Sequence, residues 1–306
     1  DVLPKIAKRD DIYLQAFDHR IKQGLTEEHF LELDLVALDN PKTVTLFLTG
    51  WMFPTDTSLN VGLGQNPTVS SPRPPYLLMP DAEGQWREVV GYTGFPGGKT
   101  KTIAVEVPVE HFNKGDYRLR IATSMQIAWD EVFFTVDDPQ ISVKQQPLNL
   151  LTADLHFRGY SRIQSHPHGG PDHYDYQTVS TEPKWPPMKG QFTRFGDVTE
   201  LLQTADDRLA ILGAGDEMTL RFEAPPPPSE GWKRSFLLHN IGWDKDADLN
   251  TVHGETVEPL PFRAMKRYPY EPDQTTPDSD SYRKALQKYQ TRTQSQTKFW
   301  KRLLVP

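Results

Sequence analysis

FLELDLVA, residues 30–37, sets apolar side chains against acidic ones: Phe30, Leu31, Leu33 and Leu35 fall mainly on one face of an extended chain, and Glu32 and Asp34 on the other. A two-residue period belongs to a strand with one face on a core and one in water. It predicts a layer of an antiparallel sandwich. Similar stretches follow at residues 43–49 (TVTLFLT), 86–90, 102–107 and 117–122, and the clearest, QIAWDEVFFTV, covers residues 126–136. The pattern turns polar over residues 137–148, which places a domain boundary there, with a first unit at 1–140 and a second at 141–306.

The second half is looser. LLTADLHFRGYSR (150–162) reads as a strand, SHPHGGPDHYDYQ (165–177) as a loop without period, and TELLQTA (199–205) as a short helix with Asp197 as N-cap. Strands return at residues 218–222 and 234–239, and residues 280–304 form an amphipathic helix with Tyr282, Leu286, Tyr289 and Phe299 inward. Twenty-seven prolines, gathered in SSPRPPY, EPKWPP and APPPPSEGW, suit short strands joined by long irregular loops. The expected fold is therefore mainly β: two antiparallel β-sandwich, jelly-roll-like units with long proline-rich loops and a short C-terminal helix.

Composition narrows the function. The chain has 306 residues, 37% hydrophobic and 11% aromatic, which is too apolar for a disordered protein. A net charge of −7 without a basic block argues against nucleic acid as a partner. Without cysteine there is no disulfide, thiolate metal site or cysteine nucleophile. No run of about 18 apolar residues exists to span a membrane as a helix. The opening DVLPKIAKRD lacks the apolar core of a signal peptide, so the chain is either cytosolic or a processed or excised piece, and the start without Met favours a piece.

Three groups of residues can carry chemistry. In GWDKDADLN and beyond, Asp244, Asp246, Asp248, Asn250 and Glu255 occupy offsets 1, 3, 5, 7 and 12 of a twelve-residue calcium loop. Leu249 stands where the tight turn wants glycine, and a strand precedes the loop instead of a helix. Asp and Asn also favour turns without metal, so a solvated acidic turn stays open beside a calcium site. His166, His168, Asp172, His173 and Asp175 form a second candidate metal loop, since imidazoles and carboxylates bind transition metals. Their spacing matches no ligand motif, and an exposed Gly/Pro loop is the favoured reading. Among the aromatics, Trp51, Trp86 and Tyr92 offer flat faces to a sugar or a protein partner, although core packing is the commoner use of such residues. Asp130 and Arg120 can pair across adjacent strands. GYTGFPGGKT, residues 91–100, lacks the register of a phosphate loop, and no G-x-S-x-G context is present, so no catalytic set can be assembled.

Longer stretches resemble a known family. FLTGWMFPTDTSLNVGLGQNP, LRIATSMQIAWDEVFF, GDVTELLQTADDRLAILGAGDEMTLRF and TVEPLPFRAMKRYPY are similar to the C-terminal region of bacterial FG-GAP and tetratricopeptide repeat proteins with an ASPIC/UnbV segment, related to cartilage acidic protein. The resemblance implies an exported or surface-associated context, periplasmic or extracellular, and a non-catalytic module that binds another protein or a larger assembly. The propeller and tetratricopeptide parts are absent from this chain. A carbohydrate-binding module and a metal-dependent hydrolase are the alternatives, resting on the aromatics with the jelly-roll likeness and on the His and Asp loops.

Overall fold

The computed structural model describes residues 1–304 apart from 37, 67, 168, 169, 249 and 252. The chain divides into two compact units, Asp1–Ser142 with Ile163–Tyr174, and Val143–Arg162 with Asp175–Pro306. The first break falls close to the boundary expected from composition. The return of residues 163–174 to the first unit has no counterpart in the sequence pattern.

In chain order the first unit holds α1 (Leu3–Ile6), β1 (Leu14–Gln15), β2 (Arg20–Lys22), β3 (Leu25–Asp34), β4 (Val44–Met52), α2 (Thr57–Gln65), β5 (Tyr76–Pro80), β6 (Trp86–Val90), β7 (Lys101–Val107), β8 (Arg118–Met125) and β9 (Ile127–Val136). One sheet runs β1-β9-β4-β7 and the other β2-β3-β8-β5-β6. Every pair is antiparallel. Alternation decides which side chains meet between them. Val44, Leu46 and Leu48 of β4 and Ile127, Trp129 and Val132 of β9 come from one sheet, and Leu31, Leu77, Met79, Leu119 and Ile121 from the other, into a single buried cluster. Each fully buried aliphatic side chain in it contributes about 1.5–3 kcal/mol.

Of the strand expected over residues 30–37, residues 30–34 lie in β3, which ends at Asp34, and residue 37 lies outside the described residues. Leu31 and Leu35 are buried, whereas Phe30 points out with Glu32 and lies under the Arg120 guanidinium, 3.9 Å from its ring centroid. Arg120 pairs with Glu32 at 2.8 Å, not with Asp130. The two expected partners sit in different sheets, β8 and β9, and Asp130 is fully buried. Its Oδ1 accepts the backbone N–H groups of Asp10 and Asp11, each at 3.1 Å, so the carboxylate anchors the N-terminal segment across β9. β5, missed in the sequence, lies between β8 and β6 with Tyr76, Leu77, Met79 and Pro80 buried.

The remaining elements are β10 (Leu150–Phe157), β11 (Tyr160–Gln164), β12 (His173–Ser180), β13 (Gly190–Phe192), β14 (Gly196–Asp197), β15 (Asp216–Phe222), α3 (Asp280–Tyr289), β16 (Arg292–Gln294) and α4 (Thr297–Leu304), all in the second unit except the end of β11 and the start of β12, which fall within residues 163–174. A three-stranded sheet runs β14-β10-β15, while β11 with β12 and β13 with β16 make two-stranded pairs. Ala153, Leu155, Met218 and Leu220 of the sheet pack with Leu201 and with Ala285 and Tyr289 of α3. Ser279 caps α3 by accepting Tyr282 N–H. The predicted helix over 280–304 is interrupted by β16, because residues 292–294 pair with 190–192. Residues 199–205 give only a short 3₁₀ turn, Thr199–Leu202, whose N-cap position is Val198 and not Asp197; Asp197, one residue further out, accepts Thr199 N–H at 2.9 Å. Residues 173–177, expected as loop, belong to β12. The strand expected at residues 234–239 does not form.

Candidate functional site

The segment that departs most from the expected pattern begins where β15 ends. Pro225, Pro226, Pro227 and Pro228 have no backbone N–H to continue a ladder. A turn follows, with Trp232 N–H donating to Ser229 C=O at 3.1 Å and Gly231 at φ +81°. From residue 233 to 248 the backbone neither turns nor bends. Among the described residues, no backbone group of residues 235–242 makes a hydrogen bond. Phe236, Leu237, Leu238, Ile241 and Trp243 are 69%, 93%, 61%, 65% and 52% exposed. At ~200 Å² for a large apolar side chain, the five present on the order of 600 Å². Successive side chains of an extended chain alternate, so this surface is divided between two faces, Leu237, Ile241 and Trp243 on one and Phe236 and Leu238 on the other. The flanks are charged: Lys233 and Arg234 before the patch, Asp244 and Asp246 after it. Arg234 donates to Pro226 C=O and sits 5.9 Å from the Phe236 ring centroid. Asp244 is exposed and forms no ion pair among the described residues.

Beyond Asp244 the acidic loop turns inward. Lys245 is desolvated, which lowers its pKa, and its Nζ donates to the carbonyls of Val257 and Glu258 at 3.2 and 3.3 Å. Asp248 is buried; its Oδ1 accepts Asn250 N–H at 2.8 Å and its own N–H donates to Gly254 C=O at 3.0 Å. A Cβ on Gly254 would lie 2.1 Å from that Asp248 carbonyl oxygen, so glycine is required by the close approach. Glu255 pairs with Lys189 at 3.5 Å, and Asp246 is exposed. Hydrogen bonds within the chain and the Lys189 pair thus hold Asp248, Asn250 and Glu255, three of the residues given calcium-loop offsets.

In the histidine loop, His168 lies outside the described residues. His166 stands edge-on to Tyr13, with ring centroids 5.6 Å apart, and accepts Gly170 N–H at Nδ1. His173 is 5.6 Å from His166, ring to ring. Asp172 is exposed. Asp175 accepts Thr178 Oγ1 at 2.7 Å and Gln177 N–H at 2.9 Å, bonds that hold its pKa below the usual range. Among the described residues, no group of three or more His, Cys, Asp or Glu could hold a metal ion.

The three candidate aromatics do not share a site by any ring contact among the described residues. Trp51 packs edge-to-face on Phe53 at 5.5 Å. Trp86 has the Arg120 guanidinium 3.9 Å from its ring centroid and Arg118 5.8 Å away, so protein cations occupy its surroundings. Tyr92 is 61% exposed. A cleft of about 290 Å³ opens near Trp51, where Met52 at the end of β4 meets Gly24, Asn60, Pro72, Phe95 and Met125. The residues lining it include no acid, base or strong nucleophile. Sequence reasoning passed over Met52, Phe95 and Met125, which are scattered along the chain and meet only through the strand order.

No family model, curated protein or solved structure matches the chain. The family resemblance rests on the quoted motifs alone.

Proposed function

We propose that the protein is a non-catalytic interaction module, an accessory subunit or tail that binds a protein partner within an assembly outside the cytoplasm. The observation that carries this reading is the exposed run of Phe236, Leu237, Leu238, Ile241 and Trp243 on a straight segment without backbone hydrogen bonds. Leaving such a patch in water forfeits roughly 25 cal/mol for each Å² that a partner would cover. Its bare N–H and C=O groups are equally suited to pairing across an interface. The motif resemblance supports the extracytoplasmic context.

Cross-linking through amines in cells that make the protein tests the reading, because Lys233 flanks the patch. Cross-links from Lys233 to another polypeptide, lost in a Phe236→Ser/Leu238→Ser double variant, are the expected result. An absence of intermolecular cross-links at Lys233 in the wild type overturns it.

A further inference from the structure

We infer that the partner of the exposed segment is a second copy of this chain, joined by antiparallel pairing of residues 234–244 about a two-fold axis at His239. The inference rests on the interaction reading above and specifies it.

Self-complementarity selects a second copy. Arg234 lies five residues before His239 and Asp244 five residues after it, with opposite charges. A two-fold axis normal to a pair of antiparallel strands sets each residue opposite its mirror position, so Arg234 of each copy faces Asp244 of the other. The same register sets Leu237 against Ile241 twice. It collects Leu237, Ile241 and Trp243 from both copies on one face of the ribbon, and Phe236 and Leu238 from both on the other. Closed two-fold dimers are the commonest symmetric assembly, and their interface is the same patch on each subunit. With His239 at a non-hydrogen-bonded pair, the N–H and C=O groups of residues 236, 238, 240 and 242, which have no partner within the chain, bond across the ribbon, while those of 235, 237, 239 and 241 stay open to water. The four prolines before the segment limit pairing at that end.

The absence of cysteine makes the register testable. Opposed residues of antiparallel strands have Cα atoms about 4.5–5.5 Å apart, within the ~4.4–6.8 Å that a disulfide spans. In purified full-length protein, His239→Cys should oxidise to a disulfide-linked dimer. Leu237→Cys should remain largely uncoupled, since the two copies of residue 237 stand about 13 Å apart along the ribbon at ~3.3 Å per residue. Sedimentation over a concentration series should show a dimer for the wild type. Asp244→Arg should weaken it at least tenfold, and Arg234→Asp combined with Asp244→Arg should restore it. Leu238→Pro, which keeps most of the apolar surface but removes an N–H, should be monomeric with an unchanged circular dichroism spectrum, because the segment joins neither core cluster. Equal coupling at 237 and 239, or a Leu238→Pro variant that still dimerises, overturns the inference. A wild type that is monomeric at every concentration overturns it too. If that monomer still cross-links through Lys233 to a different protein, the interaction reading stands and only the second copy falls.

Discussion

Asp130 shows how one residue's surroundings reverse the role its neighbours suggest. Beside Trp129 on a strand it looked like half of an ion pair with Arg120, yet it lies in the interior and accepts two backbone N–H groups from Asp10 and Asp11. Burial is the main cause of its raised pKa, opposed by those two hydrogen bonds and aided by the nearby Asp11 and Asp10 charges. An acid with a raised folded-state value stabilises the fold fully below the unfolded value of about 3.9, and that contribution is lost as pH rises through the folded value. Wild-type stability relative to Asp130→Asn should therefore fall as pH is raised from about 3.5 towards 7, measured by urea unfolding. His29 runs the other way: burial lowers its pKa, and its Nε2 is buried without a hydrogen-bond partner. Its contribution is present above the unfolded value of about 6.5 and is lost as pH falls through the lower folded value. His29→Phe should lose less stability than the wild type on acidification below pH 6.5, as read from melting midpoints.

At the scale of elements, the strands of the first unit were legible because alternation and burial agree there. Residues 86–90 and 102–107 are found at or within a residue of their expected limits. β5 was hidden because YLLMP is apolar on both faces and ends in Pro80, next to a proline cluster that reads as loop. Residues 234–239 depart in the opposite direction: their local pattern is that of a strand, but a strand needs a neighbour and the described residues supply none. Amides of residues 235–242 should accordingly exchange at nearly unprotected rates at high dilution, whereas those of β4 and β9 remain protected, as hydrogen exchange would show. In the second unit Asp216 is the vulnerable point. Its side chain is 2% exposed and takes Arg292 as well as Gly213 N–H, so Asp216→Ala leaves a cation facing a hole. A loss of about 3–5 kcal/mol in urea unfolding is expected.

For the whole molecule, the candidate site was less legible than the fold. The metal offsets in residues 244–255 are a property of the chain written as a line, whereas ligation needs oxygens converging in space. The loop is instead tied by Asp248, Gly254, Lys245 and Lys189 to its own surroundings. Calcium should leave the melting midpoint where a chelator leaves it; a higher midpoint in calcium would mark a binding loop. What the sequence could not disclose is absence of cover, since exposure of Leu237 depends on everything else the chain does.

The hairpin of β11 and β12 has a consequence for how this protein can be inherited. Its tip, residues 163–174, groups with the first unit, so that unit is built from two separate lengths of chain. A gene fragment ending at residue 142 would encode a body missing a piece, with Tyr13 deprived of the His166 ring that it meets edge-on. Neither half can be shuffled as a free cassette by one recombination event, and insertions between residues 143 and 162 would have to preserve the return of the tip. The two units are expected to travel through evolution as a single heritable block.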